Sequence, residues 1–157
     1  PMNGLGQAAI PIVGYSYGAG NTGRIREALR TILPMAAGIA VFATLLFLAI
    51  PRALLGLFSP SLEMLALGVP ALRIIAPTFV FASVTMILGY AMSGLGNGLV
   101  NMVGTAIRQI VLFVPLAWLF ARTWGVGAAW YSLWISEICA ALFSILASKQ
   151  LLKKCGT

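Results

Sequence analysis

Long stretches without a single charge set the first constraint on this chain. Met2–Gly20, Thr31–Ile50 and Ile74–Leu95 hold 19, 20 and 22 residues with no Asp, Glu, Lys or Arg. Two further apolar stretches each carry one intramembrane charge: Leu99–Ala121 contains Arg108, followed by Gln109, and Val126–Ser148 contains Glu137. The hydrocarbon core of a bilayer is about 30 Å thick and takes about 20 helical residues to cross. The five stretches therefore predict an all-α integral membrane protein, a polytopic bundle of about five spans in one membrane domain over residues 1–157. Composition agrees, since 8% of residues are charged and 61% hydrophobic, against about 25% charged in a soluble domain. So few charges cannot solvate the surface of a globule.

The first span is the weakest isolated helix, because Gly4, Gly6, Pro11, Gly14 and Gly18 all disfavour it. Membranes tolerate such breakers where neighbouring helices satisfy the freed backbone. Gly18, Gly20 and Asn21 are expected to end that span in a turn that needs left-handed or closely packed backbone. Between spans two and three, Ser59-Pro60 reads as a cap followed by a first-turn proline, Glu63 as a favourable helix-start acid, and Gly68-Val69-Pro70 as an interruption. Short connections at Gly96–Gly98 and Arg122–Gly125 make spans three, four and five antiparallel neighbours. Ala28, Ala36, Ala37, Gly38 and Ala40 in span two, with Ala82, Ser83, Gly89, Ala91 and Ser93 in span three, predict close helix packing.

Charge fixes an expected orientation. Arg24, Arg26 and Arg30 precede span two, and Lys149, Lys153 and Lys154 follow span five; four crossings put both groups on one side. The other side receives Arg52, Arg73 and Arg122. Basic residues favour the cytoplasmic side, so the first loop and the C-terminus are expected there. The chain start is then outside, and because it opens on Pro1 and is apolar at once, it reads as the C-terminal piece of a longer protein of the cell membrane.

Enzymatic chemistry is poorly supplied. There is no Asp and no His, and the acids are Glu27, Glu63 and Glu137. A His-ligated metal, a Ser-His-Asp triad and an Asp dyad are excluded, and neither an enzyme activity nor a cofactor is expected. Cys139 and Cys155 lack metal or redox spacing and read as a small buried residue and an exposed thiol. The net charge of +7 comes without a basic groove interleaved with aromatics, so nucleic acid is not an expected partner. Trp118, Trp124, Trp130, Tyr131 and Trp134 cluster around the turn between spans four and five, as an interfacial belt does. Trp134, about two turns inside, has a second reading as a cavity wall whose face attracts organic cations.

Arg108 and Glu137 are the most informative residues. An ionised acid near the midplane costs several kcal/mol and is rarely accidental. Glu137 suits three roles: a proton-binding carboxyl, a cation ligand, or the partner of a buried arginine. Helical rise puts Arg108 about 14 Å and Glu137 about 17 Å from the same face, so a structural ion pair is the preferred expectation and direct ion coupling the alternative.

The segment Gly4–Asn21, GLGQAAIPIVGYSYGAGN, resembles the GxGQAxxPIVGYNYGAGN segment of multidrug and toxic compound extrusion (MATE) transporters, and is close to that of a MepA-like subgroup. Gly68–Ile75 looks like that group's entry into its tenth helix, and Ala91–Gly96 resembles its QAxGxG helix end. Arg108-Gln109 with Val114-Pro115-Leu116, and Ile135-Ser136-Glu137, resemble its last two helices. Ser16 and Ser93 stand where that family often has Asn and Gln. The resemblance implies the eighth to twelfth helices of a twelve-helix, two-lobe transporter, most of its C-terminal lobe, with the N-terminal lobe and preceding helix as partners. It implies efflux of cationic or amphipathic organic molecules coupled to Na⁺ or H⁺, with Gln7, Tyr15, Tyr17 and Trp134 as candidates to line the cavity. Two alternatives stand beside it: a lipid-linked oligosaccharide flippase of related architecture and a non-transporting membrane scaffold.

Overall fold

The structure, a computed structural model, describes residues 2–57 and 61–154, without the side chains of residues 63, 126 and 151–154. Apart from short turns, these residues are helical. In chain order come α1 (Met2–Gly18), α2 (Thr22–Ala49), the short α3 (Pro51–Gly56), α4 (Leu62–Ile75), α5 (Thr78–Gly94) and α6 (Gly98–Ala106). A π-helical segment, Ile107–Phe113, carries α6 into α7 (Val114–Trp124); a 3-10 turn, Val126–Trp130, leads into α8 (Tyr131–Lys154). Thr22–Ala49, Gly98–Trp124 and Gly127–Gln150 are long and apolar enough to cross a membrane, and Met64–Ile75 with Thr78–Gly94, bent by 55°, forms a fourth if the pair is one span. The 17 residues of α1 reach only about 25 Å.

Helix α5 is the axis of the bundle, packed against α1, α2, α6 and α8. Ala9 and Val13 of α1, Ile25, Leu29, Ile32 and Ala36 of α2, and Ile87, Ala91 and Leu95 of α5 form the buried core. On α8 the residues at every fourth position, Ser132, Ser136, Ala140, Ser144 and Ser148, are all buried. Such a stripe lets the helix approach α5 closely; the hydroxyls of Ser136 and Ser148 donate to carbonyls of their own helix, and that of Ser132 to Ala129 of the preceding 3-10 turn. Large side chains such as Phe42, Ile110 and Leu146 point outward, as lipid contact allows.

The glycines of α1 are where α5 comes near. A Cβ on Gly6 would collide with the Tyr90 ring, and one on Gly94 would lie 2.8 Å from the Ile10 carbonyl oxygen. Their intrinsic helix penalty is offset by packing unavailable to larger residues. Both helices then end alike. Gly20 has φ +66°; its N–H donates to the Tyr17 carbonyl, and the Asn21 N–H to the Ser16 carbonyl, both at 2.9 Å. Gly96, at φ +79°, repeats the pattern with Ser93 and Met92. These are Schellman endings, which need the left-handed glycine. Gly18 itself is exposed and helical. The Asn21 side chain then accepts from the Arg24 N–H at 3.0 Å and starts α2.

Several expectations are corrected. The segment carrying Arg24, Arg26 and Arg30 is not a loop, because α2 begins at Thr22: the Asn21 cap and the burial of Ile25 and Leu29 draw it into the helix. Gly68-Val69-Pro70 does not interrupt the chain, since α4 runs through it to Ile75. The break lies at Ala76-Pro77, inside the third uncharged stretch, where side chains of other helices donate to carbonyls at the bend. Cys139 is exposed, not buried, because it lies off the serine–alanine stripe of α8. Ser59-Pro60 and Cys155 lie outside the described residues, as does the side chain of Glu63; Ser61 caps α4 instead, accepting from the Met64 N–H at 3.2 Å.

Candidate functional site

Two irregular points in the long helices meet the same stretch of α8. The first is the α4–α5 break. Pro77 has no N–H, and its ring excludes an ordinary helical turn before it. Side chains serve the carbonyls around the break: the Trp134 indole N–H donates to the Ile74 oxygen at 2.8 Å and the Thr78 hydroxyl to Ile75 at 2.7 Å, while the Ala76 oxygen accepts both the Thr44 hydroxyl at 2.8 Å and the Phe79 N–H at 3.1 Å. An apolar phase has no water to do this, so a bend at that depth needs such donors. The Trp134 ring also packs on Phe81, with centroids 6.3 Å apart.

The second irregular point is the π-helical segment, which widens the helix just before Pro115. An α-helical proline would meet the carbonyl four residues earlier, that of Val111. In the wider geometry the Val114 N–H reaches back five residues to the Gln109 carbonyl. Arg108 lies in this segment, and its Nη1 donates to Glu137 Oε1 of α8 at 2.5 Å. Glu137 is one helical turn beyond Trp134. Thus α8 holds the broken helix through one residue and the widened helix through another.

The pair is largely enclosed, with 23% of the Arg108 side chain and 11% of that of Glu137 exposed. It is the one salt bridge among the described residues. Glu137 Oε2 is buried and has no hydrogen-bond partner among them. Arg108 also lines a cavity of about 90 Å³ between α5, α6 and α8, with Asn101, Thr105, Thr85 and Ser144 as its polar wall. Asn101 is held there by a 3.3 Å hydrogen bond to Ser93. Among the described residues no cluster of His, Cys, Asp or Glu is built to hold a metal.

The other candidate residues are spread out. Gln7, Tyr15 and Tyr17 lie on exposed faces of α1, with Tyr15 74% exposed, far along the chain from the pair. Trp118, Trp124, Trp130 and Tyr131 are exposed around the α7–α8 turn, and Arg122 lies 5.2 Å over the Trp118 ring. Asn101, Thr44 and Thr78 escaped the sequence reading; the signal for Thr44 and Thr78 was Pro77 inside an uncharged span, since a bend there needs donors, and Asn101 had none.

The family model MatE matches residues 1–119. A probable multidrug resistance protein NorM of Pseudomonas putida is 31% identical over 164 residues, covering 98% of this chain and 36% of that protein. The fold matches a multidrug resistance MATE family transporter of the MOP superfamily in two conformations. The inward-facing one gives a TM-score of 0.92 over 99% of this chain and 36% of that one; the outward-facing one gives 0.91 over 99% and 35%. Both are 21% identical in sequence. The Vibrio cholerae MATE transporter VcmN in its bent form matches with a TM-score of 0.85 at 21% identity, covering 92% of this chain and 33% of that one. The chain spans about a third of the length of each of these proteins.

Proposed function

Because this chain belongs to the MatE family, whose members are multi-pass membrane transporters and not enzymes, we propose that it forms most of the C-terminal lobe of a multidrug exporter. The exporter carries cationic or amphipathic organic molecules outward, driven by Na⁺ or H⁺ re-entry. The observation that carries this reading is its nearly equal fit to an inward-facing and an outward-facing transporter, with TM-scores of 0.92 and 0.91. A segment that fits both states suits a lobe that moves as one body, as rocking-lobe alternating access requires.

In this reading the Arg108–Glu137 pair and the Trp134 bond are latches that keep α8 on the two irregular helices while the lobe moves. The preceding helix and the N-terminal lobe complete the cavity, and the exposure of Gln7, Tyr15 and Tyr17 of α1 supports them as part of its lining. Arg26 and Arg30 of α2 lie at the same end of the bundle as Ser148 and Lys149 of α8. That juxtaposition, with the six-to-three excess of basic residues, supports a cytoplasmic C-terminus.

The test is transport by the full-length protein in proteoliposomes, read with a fluorescent organic cation under imposed Na⁺ or H⁺ gradients. One of the two gradients is expected to drive export. Export by neither, from correctly folded protein, overturns the proposal.

A further inference from the structure

A second concavity lies away from the charge pair, between α2 and α8 with α5 as its floor, and has a volume of about 720 Å³. Its chemistry is graded along its length. At one end stand Arg26 and Arg30 of α2, one turn apart, facing Ser148 and Lys149 of α8. Towards the bundle's middle the walls become Leu29, Leu33, Pro34 and Ala37 of α2, Val84 and Leu88 of α5, and Ile145 of α8. Along α2 and α8 the lining changes from polar to apolar in the same direction, over an apolar floor from α5.

The three cations are exposed, and among the described residues no carboxylate lies within salt-bridge distance of them. Glu27 is close in sequence but does not line the groove. Among the described residues nothing there balances this charge. We propose that the groove binds one anionic phospholipid of the leaflet it faces, with the phosphate among Arg26, Arg30 and Lys149 and an acyl chain along the apolar walls. Charge complementarity selects the head group, and the apolar floor selects a lipid over a free phosphate. Clusters of basic residues at the ends of membrane helices attract anionic lipids in this way. The proposal does not depend on what the transporter exports.

The experiment uses the full-length transporter in nanodiscs of phosphatidylcholine containing one quarter phosphatidylglycerol, with Leu33→Trp as reporter, read as the difference from the same protein with Leu33, and the lipid brominated in one component at a time. Brominated phosphatidylglycerol is expected to quench the reporter about tenfold more per mole than brominated phosphatidylcholine. Each of Arg26→Gln, Arg30→Gln and Lys149→Gln lowers that preference about 5-fold, while Arg26→Lys retains it. Arg24→Gln, which removes the same charge outside the groove, leaves it unchanged. Equal quenching by both lipids, or equal loss with Arg24→Gln, overturns the site. A reporter that neither lipid quenches means that another part of the transporter covers the groove, and overturns it too. Glycerol phosphate competing as well as the lipid in detergent overturns the lipid assignment.

Discussion

Removing one member of a charge pair inside a membrane strands the other, and this makes Arg108 and Glu137 separable by mutation. Arg108→Gln and Glu137→Gln are each expected to destabilise the full-length protein by about 3 kcal/mol. The double variant should recover a good part of that, giving a coupling energy measurable by unfolding in detergent. Additive losses would dissolve the pair as an energetic unit. A stable, abundant Glu137→Gln protein that no longer responds to either ion gradient would transfer the residue from latch to coupling site. The glycines of the α1–α5 contact offer a second prediction. Gly94→Ala puts a methyl against the Ile10 carbonyl, and overpacking of this kind costs about 1–3 kcal/mol. Gly4 has open space around it, so Gly4→Ala is expected to gain a few tenths of a kcal/mol or more from helix propensity. The two substitutions should move the melting temperature in opposite directions.

At the scale of elements, α8 is a buried serine–alanine stripe with two specific attachments on a neighbouring face. One is the indole donor at the Pro77 break. Trp134→Phe keeps an aromatic ring against Phe81 and removes the N–H from Ile74, and Thr44→Val removes the hydroxyl from Ala76. Interhelical hydrogen bonds in membranes are worth about 0.6 kcal/mol on average and at most about 1.7. Each substitution should therefore lower stability by about 1 kcal/mol, and both together more than either, read as a shift in the unfolding midpoint. An unchanged midpoint in the double variant would mean that the bend holds without these donors. The π-helical turn before Pro115 is the corresponding adjustment on the other helix, and it is what carries Arg108 to α8. Such wide turns recur at functional positions.

For the whole molecule, orientation is the property most directly testable. Cysteines introduced at Thr22 and Thr123, in a full-length protein lacking Cys139 and Cys155, lie at opposite ends of the bundle. An impermeant thiol reagent applied to intact cells is expected to modify the residue at 123 and spare the one at 22. The reverse pattern would invert the bundle, and with it the leaflet that the basic groove faces.

Much of the molecule was legible in order of residues alone because its physics is local. An uncharged stretch of 20 residues has few stable places other than a membrane helix, and Gly-Ala-Gly-Asn or Gly-Leu-Gly-Asn ends a helix by its own backbone preference. Arg108 and Glu137 stood out because each is costly where it lies, and helical rise alone put them at similar depth. The tertiary structure decided what depends on distant partners. Pro70 and Pro77 look alike in sequence, yet the chain breaks at Pro77, where Thr44 and Trp134, 32 and 60 residues from their acceptors, donate to carbonyls at the bend. The basic residues before span two read as a loop until burial of Ile25 and Leu29 made them helical. Exposure of Cys139 and the graded groove between α2 and α8 likewise follow from which helix faces meet, a matter of packing among segments that no local preference encodes.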